Sequence, residues 1–431
     1  MSRKELTKHG FDELGIAPNL LKRLRELGFE HPTPIQFKAI PIATSGEDVV
    51  GIAQTGSGKT LAFSIPMLQN ASATKTIGLI LLPTRELAIQ VEEVVKTVGG
   101  KFGLRTAIII GGTNANPQIR ALRAKPHVIV ATPGRLIDLM DQKHVSLRNV
   151  GMLVLDEADR MLDMGFAPQL KKILSTIPAD RQTMLFSATM PEAIAKIARQ
   201  YMKKPLRIEV ARPGTAADKV DQEVIMIPRA EKIKVLENLL HEHKGAVLIF
   251  SRTKYGAKKL ARIIRKMGHT ADEIHSNRSQ SQRQKALKGF SNGRFRILVA
   301  TDIAARGIDV DDIQLVINFD LPDQIEDYVH RIGRTGRAGR SGKAISLASP
   351  EQKADIVQIQ KLINTTLTIK SAAGEELEPI KKSVSGSAPG KKKQSGRNRG
   401  GAKSRHTASR KRSGGSGHRR SQGSGRRKSR T

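Results

Sequence analysis

The sequence predicts an α/β protein: two tandem domains with parallel sheets, then a disordered basic tail. Three observations carry this. Short continuous apolar runs alternate with amphipathic stretches from Val49 to about Ile208. The same alternation restarts at residue 220, after the Pro- and Gly-containing interval EVARPGTAADK (209–219). Beyond Lys381, Val384 is the only branched aliphatic residue and no aromatic occurs.

The first set of runs is VVGIA (49–53), TIGLILL (76–82), TAIII (106–110), HVIVA (127–131), VGMLVLD (150–156) and QTMLFS (182–187). Runs that are apolar throughout, rather than at alternate positions, suit strands covered on both faces. Segments between them, such as RELAIQVEEVVKTV (85–98), read as helices. Strand–helix alternation implies right-handed crossovers and a parallel sheet. The second set is VDQEVIMIP (220–228), AVLIFS (246–251), FRILVATD (295–302), LVINFD (315–320) and KAISLAS (343–349). The expected boundaries are a first domain over 1–208, a linker over 209–219, a second domain over 220–368 and a tail over 369–431. The tail is rich in Gly, Ser, Arg and Lys and cannot bury enough apolar surface to offset its ordering entropy.

Composition narrows the chemistry. The 431 residues contain no Cys, which excludes disulfides, cysteine nucleophiles and thiolate metal sites. The first residues, MSRKELTKHGFDELGI, lack the apolar block of a secretory signal, and no run is long enough to span a membrane. A soluble cytoplasmic protein is expected. The formal net charge is +34. Residues 381–431 hold 18 Lys and Arg and no acid, so the remainder still carries 56 basic against 40 acidic residues. Both parts favour a polyanionic partner.

The first strand leads into AQTGSGKT (53–60), which nearly meets G-x-x-x-x-G-K-[ST], with Ala53 at the first Gly position. A strand before and a helix after are the context in which this loop cradles phosphates. Gly56 and Gly58 let backbone N–H groups of the loop Ala53, Gln54, Thr55, Gly56, Ser57 and Gly58 approach phosphate oxygens closely, and the helix N-terminus adds a favourable dipole. Lys59 reaches the β- and γ-phosphates and Thr60 holds Mg²⁺.

A later run ends in LVLDEADRMLDMGF (153–166), which places Asp156, Glu157 and Asp159 within four positions. Such carboxylates repel one another unless a cation joins them. Ligand sites of open α/β sheets lie at the carboxyl ends of strands. The cation is therefore expected to be nucleotide-bound Mg²⁺, faced by Asp156, with Glu157 polarising a water for attack on the γ-phosphate.

With these motifs the sequence resembles the DEAD-box ATP-dependent RNA helicases of superfamily 2 over roughly residues 11–350, and Asp156-Glu157-Ala158-Asp159 spells the family's name. Its build is most similar to the bacterial RhlE-like group. The resemblance implies two RecA-like domains, ATP and Mg²⁺ as cofactors, and RNA as partner. Phe11, Gly28-Phe29 and Pro32 to Gln36 resemble the Q motif, in which Gln36 would read the adenine edge and Phe29 stack on the base. Pro83-Thr84-Arg85, Gly111-Gly112 and Thr132-Pro133-Gly134-Arg135 resemble the RNA-contacting motifs of the first domain. Ser187-Ala188-Thr189 resembles the motif that couples hydrolysis to unwinding.

In the second domain, Arg252 within FSRT and Gln280 to Arg283 resemble RNA-side motifs. Thr301 and Asp302 would lie near RNA, and Asp309 near the ATP ribose. In HRIGRTGR (330–337), Arg334 and Arg337 would be arginine fingers, and His330 would link to Asp159 across the cleft.

The resemblance implies an ATP site split between the domains, slow until they close over RNA. An arginine finger is worth about 10³–10⁵ in rate for related phosphoryl transfers. Hydroxyl contacts would favour RNA over DNA. The expected activity is RNA-stimulated ATP hydrolysis with local, non-processive unwinding of short duplexes or remodelling of RNA–protein complexes. Ribosomal precursors or the RNA-degradation machinery are candidate partners, and a monomer is expected. The tail should add salt-sensitive, sequence-independent affinity. An ATP-gated RNA clamp or chaperone is the alternative, and a DNA helicase of the same superfamily a third.

Overall fold

The computed structural model describes residues 9–53, 56–210, 220–305, 310, 313–336 and 341–378. Residues 9–210 and 220–378 each build one sheet with helices on both faces.

The first lobe has seven strands: β1 Val49–Ile52, β2 Ile77–Leu81, β3 Thr106–Ile109, β4 Val128–Ala131, β5 Val150–Leu155, β6 Gln182–Ser187 and β7 Leu206–Glu209. Their order is β3-β4-β2-β5-β6-β1-β7, and all neighbours pair in parallel. Within a run, successive side chains enter opposite cores. Ile80 and Leu82 join the cluster that contains Phe63 and Phe186, while Leu79 and Leu81 join the one that contains Leu136 and Leu153. The period-2 strand puts alternate residues on opposite faces, so two covered faces require an unbroken apolar run.

The second lobe has β8 Val220–Met226, β9 Ala246–Phe250, β10 Ala271–Ile274, β11 Ile297–Ala300, β12 Ile313–Asn318, β13 Gly342–Ala348, β14 Thr368–Ser371 and β15 Glu376–Leu377. The order is β10-β11-β9-β12-β13-β8-β14-β15, parallel except for the terminal β14–β15 pair.

Two expectations change. The second sheet runs on to Leu377, so residues 369–377 belong to the lobe and not to the tail. Lys370 Nζ on β14 donates to Glu223 Oε1 on β8 at 3.0 Å, and Lys343 Nζ on β13 does the same at 3.0 Å. Glu209, expected to open the linker, ends β7 beside Ile52. Residues 211–219 and 379–431, most of the linker and of the tail, lie outside the described residues. Among the described residues no helix is long and apolar enough to cross a membrane.

Candidate ATP and RNA site

Apart from β15, the strands of each sheet run the same way, so their carboxyl ends share one edge. In the first lobe this edge gathers the ends of β1, β2, β3, β4, β5 and β6 and the loops that follow them, which hold every motif residue expected there beyond those of the Q motif. The phosphate loop passes from β1 through glycines with positive φ, Gly56 at 82° and Gly58 at 91°, into the helix Lys59–Ala73. A side chain at Gly58 would strike Gln36, whose Nε2 would lie 2.5 Å from a Cβ there. Gln36 Nε2 donates to the Gly58 carbonyl at 2.9 Å, and its Oε1 accepts from Thr33 N at 2.8 Å. Gln36 thus splints the phosphate loop to the start of the helix Pro34–Thr44 rather than presenting its whole amide to a base. Phe29 is 38% exposed, so it is no core aromatic. Gln54 and Thr55 lie outside the described residues.

Lys59 is buried; its Nζ donates to the Ala53 carbonyl at 3.0 Å and lies 4.0 Å from Asp156 Oδ1. Asp156 follows β5 and is also buried. Burial pushes its carboxyl up, to about 6; Lys59 opposes that shift, and the charges of Glu157 and Asp159 add to it. A carboxylate so placed gains from a further cation, so Asp156 with the Thr60 hydroxyl fits a magnesium ion on a nucleotide.

Glu157 goes the other way. Burial disfavours its charge, but Arg160, Lys59, Arg334 and His330 together outweigh burial and hold it well below the ordinary range. Its backbone is left-handed, φ 52° and ψ 50°, a conformation that costs a non-glycine residue on the order of 1–3 kcal/mol. Arg160 Nη1 holds the carboxylate at 2.6 Å. Arg334 and His330 come from the second lobe. Arg334 is buried, with Nε donating to the His330 carbonyl at 3.2 Å, and both line a small cavity with Arg160. The structure therefore brings Lys59, Asp156, Glu157 and Arg334 into one cleft. Arg337 and Asp309 lie outside the described residues.

Asp159 ties the acidic motif to β6. Its Oδ2 accepts from Ala188 N at 3.1 Å, Thr189 N at 2.9 Å and Thr189 Oγ1 at 3.0 Å, and its own N–H donates to Ser187 Oγ at 3.2 Å. The expected coupling role of Ser187, Thr189 and Asp159 thus has a direct bonded path. His330, expected beside Asp159, lies close enough to Glu157 for its charge to help lower that carboxyl.

On the RNA side of the first lobe, arginines link the loops. Arg85 lies against Gly111 and Gly112, and a Cβ at Gly112 would overlap its Nη1. Gly112 has φ 71°, so both space and backbone demand glycine. Arg135 Nη1 donates to the Thr113 carbonyl at 3.2 Å. Thr84 caps the helix Arg85–Gly99 through Leu87 N at 3.3 Å, while Thr132 and Pro133 open the helix Pro133–Asp141 with Gly134 in its first turn.

The second lobe departs from expectation at three positions. Gln280 Nε2 donates to Glu86 Oε1 at 3.1 Å, and Arg283 Nη2 lies 3.1 Å from Glu86 Oε2. These two join the lobes instead of standing free for RNA. Asp302 is held by Arg331 through Nε at 2.5 Å and Nη2 at 2.7 Å. Arg331 also donates to Asn318 Oδ1 and the Asp320 carbonyl and lies over the Phe250 ring. Thr301 precedes this pair half-buried. Arg252 is exposed near the same edge, with Nε 3.0 Å from Asp323.

Residues 33–197 match the family model described as DEAD/DEAH box helicase, and residues 231–339 match the helicase conserved C-terminal domain. The ATP-dependent rRNA helicase RRP3 of Debaryomyces hansenii is 43% identical over 84% of this chain and 77% of its own length. The chain belongs to the DEAD-box RNA helicase family.

RRP3 of Mycosarcoma maydis is 43% identical, and DEAD-box ATP-dependent RNA helicase 30 of Arabidopsis thaliana 45%. The matches span 83% and 75% of this chain but 64% and 56% of those relatives, less than two thirds of either. These are eukaryotic proteins, and they lend the bacterial RhlE-like assignment no support.

Among solved structures, S. cerevisiae Dbp5 bound to RNA and ADP BeF3 fits with a TM-score of 0.76 at 34% identity, covering 84% of this chain and 96% of that one. Mss116p bound to ssRNA and AMP-PNP fits at 0.78 and 29% identity, covering 84% and 79%. A DEAD box protein from Methanococcus jannaschii is 40% identical over 84% and 98%, yet fits at only 0.51. Fit and identity run in opposite orders among these three structures.

Sequence reasoning missed Glu86, Arg160 and Arg331. Glu86 directly follows the motif Pro83-Thr84-Arg85, Arg331 sits inside HRIGRTGR (330–337), and Arg160 directly follows Asp159.

Proposed function

We propose that this chain is an ATP-dependent RNA helicase: closure of its lobes on RNA and ATP activates hydrolysis, and hydrolysis reopens them. The observation that carries the reading is that Arg334 from the second lobe lines one cavity with Arg160, whose Nη1 holds Glu157 of the first lobe at 2.6 Å. Lys59 and the amides of the phosphate loop bind the β- and γ-phosphates. Ionised Glu157 accepts the proton of the attacking water, and Arg334 stabilises charge developing on the γ-phosphoryl oxygens. Thr60 and Asp156 would hold a magnesium ion, which would neutralise phosphate charge.

Arg85, Arg135, Arg252 and the loop amides at Gly111 and Gly112 hold a strand by its phosphates and sugars without reading bases. Two ligands that each favour the closed form tighten one another's binding by the same factor. Bending of the held strand separates a short duplex locally and non-processively. Relatives named as rRNA helicases support ribosomal precursors as the substrate; the RNA-degradation machinery is a further partner. The protein acts as a cytoplasmic monomer, and the basic tail tethers it to structured RNA.

The test compares ATP turnover with no nucleic acid, with oligoribonucleotide and with the matching oligodeoxyribonucleotide. RNA should stimulate by an order of magnitude or more and DNA little. Equal stimulation by both, or none by either, defeats the reading.

A further inference from the structure

The amino ends of the first lobe's strands, the edge opposite the ATP and RNA loops, enclose a second cavity of about 610 Å³. Lys75, Arg105, Lys125, His127 and His144 line it, and no Asp or Glu does. Its apolar wall includes Leu104, Leu122 and Ile129. Its size falls within the roughly 300–1,000 Å³ of small-molecule sites.

Arg105 and His127 are held in place by hydrogen bonds. Arg105 Nε donates to the Ala124 carbonyl at 3.1 Å and Nη2 to the Lys125 carbonyl at 3.2 Å. These acceptors orient the guanidinium without cancelling its charge. Arg105 N donates to His127 Nδ1 at 3.0 Å, so the neutral ring carries its proton on Nε2, a remaining donor. Asn149 Nδ2 holds the Lys75 carbonyl at 2.8 Å. Lys125 is left-handed, φ 51°, just past the helix Ala115–Arg123. Lys143, before His144, repeats this after the helix Pro133–Asp141, φ 60°. Glycine is the usual residue at such helix ends. At both, a lysine accepts backbone strain next to the same cavity.

We propose that this cavity binds a phosphate ester of nucleotide size, its anion on Arg105, Lys75 and Lys125 and its planar or apolar body against Leu104, Leu122 and Ile129. The ester is either a free nucleotide or an unpaired nucleotide of a structured RNA. The site is separate from the ATP cleft and does not rest on the reading of that cleft.

The full chain is first saturated with Mg²⁺, ADP–beryllofluoride and a short single-stranded oligoribonucleotide, so that the ATP and RNA loops are filled. Guanosine monophosphate is then titrated by calorimetry, and a hairpin RNA with an unpaired loop in a parallel arm. The variant is Lys75→Glu with Lys125→Glu; an equal-charge control carries Lys22→Glu with Lys196→Glu. Arg105→Lys, which keeps charge but loses the fork, is the second variant.

The expected result is binding weakened about tenfold or more by Lys75→Glu/Lys125→Glu and measurably by Arg105→Lys, but not by the control. RNA-stimulated ATP turnover stays unchanged in all three. A response with the mononucleotide identifies the free ligand as the source; a response confined to the hairpin identifies RNA. The proposal is overturned if neither probe binds the saturated protein, or if the variants and the control bind alike.

Discussion

Arg283 of the second lobe pairs with Glu86 of the first at 3.1 Å, and both side chains are almost fully enclosed. Gln280 adds a bond to the other oxygen of the same carboxylate. The charges meet only when the lobes come together, so this pair reports lobe arrangement. Buried pairs lose about 3–5 kcal/mol when one partner is removed, because the other charge stays desolvated.

Arg283→Ala should therefore lower RNA-stimulated kcat/KM by about two orders of magnitude, a loss of roughly 3 kcal/mol in closing energy. A double-mutant cycle with Glu86→Gln should give a coupling of about 1–3 kcal/mol in that parameter. Additive effects would mean that Arg283 acts on RNA directly, as its motif suggests.

Arg334→Ala should reduce RNA-stimulated turnover by about 10³-fold or more while ATP binding, followed with a fluorescent analogue, changes little. Glu157→Gln should also abolish turnover but keep ATP and RNA bound. Cellular function surviving Glu157→Gln would make clamping the main activity.

Asp159→Asn removes the carboxylate on which Ala188, Thr189 N and Thr189 Oγ1 converge. Duplex unwinding should fall far more than ATP hydrolysis, measured side by side. The cost in folding stability should be about 1–3 kcal/mol, that of leaving buried donors poorly matched. Equal loss of both activities would remove the coupling role from this path.

Truncation tests the end of the second lobe. Removing residues 379–431 should leave the melting of the lobes intact and weaken RNA binding mainly at low salt. Removing 369–431 should lower the melting temperature as well, because β8 loses its neighbour β14.

Glu223 titrates accordingly. Burial opposes its charge, but bonds from Lys370 and Lys343 win and hold its carboxyl below the ordinary value. A depressed folded pKa adds stability above the unfolded value of about 4.3, and that stability is lost as pH falls through the folded pKa. Glu223→Gln should melt below the wild type at pH 7, and the difference should shrink on acidification below about pH 4. A difference independent of pH would exclude the ion pairs as its cause.

Local sequence determined most of what makes this chain an ATP-binding α/β protein. Eleven apolar runs marked strands, each lying in a sheet, because a strand covered on both faces must be apolar along its length. The strands it left unread, LRIE (206–209), ADEI (271–274) and those after residue 367, lie at or near sheet edges. There ion pairs such as Arg278 with Asp272 and Lys370 with Glu223 take the place of a second apolar face. The phosphate loop was legible because its glycines, Lys59 and Thr60 are neighbours in sequence. Tertiary structure alone decided the partners of Gln280, Arg283, Asp302 and Gln36. Each is polar, each motif offered it to RNA or base, and each instead meets an oppositely matched group brought near by the fold. A side chain's type fixes what it can bond, but only the packed arrangement fixes which competing partner is within 3 Å, and that separation decides the bond.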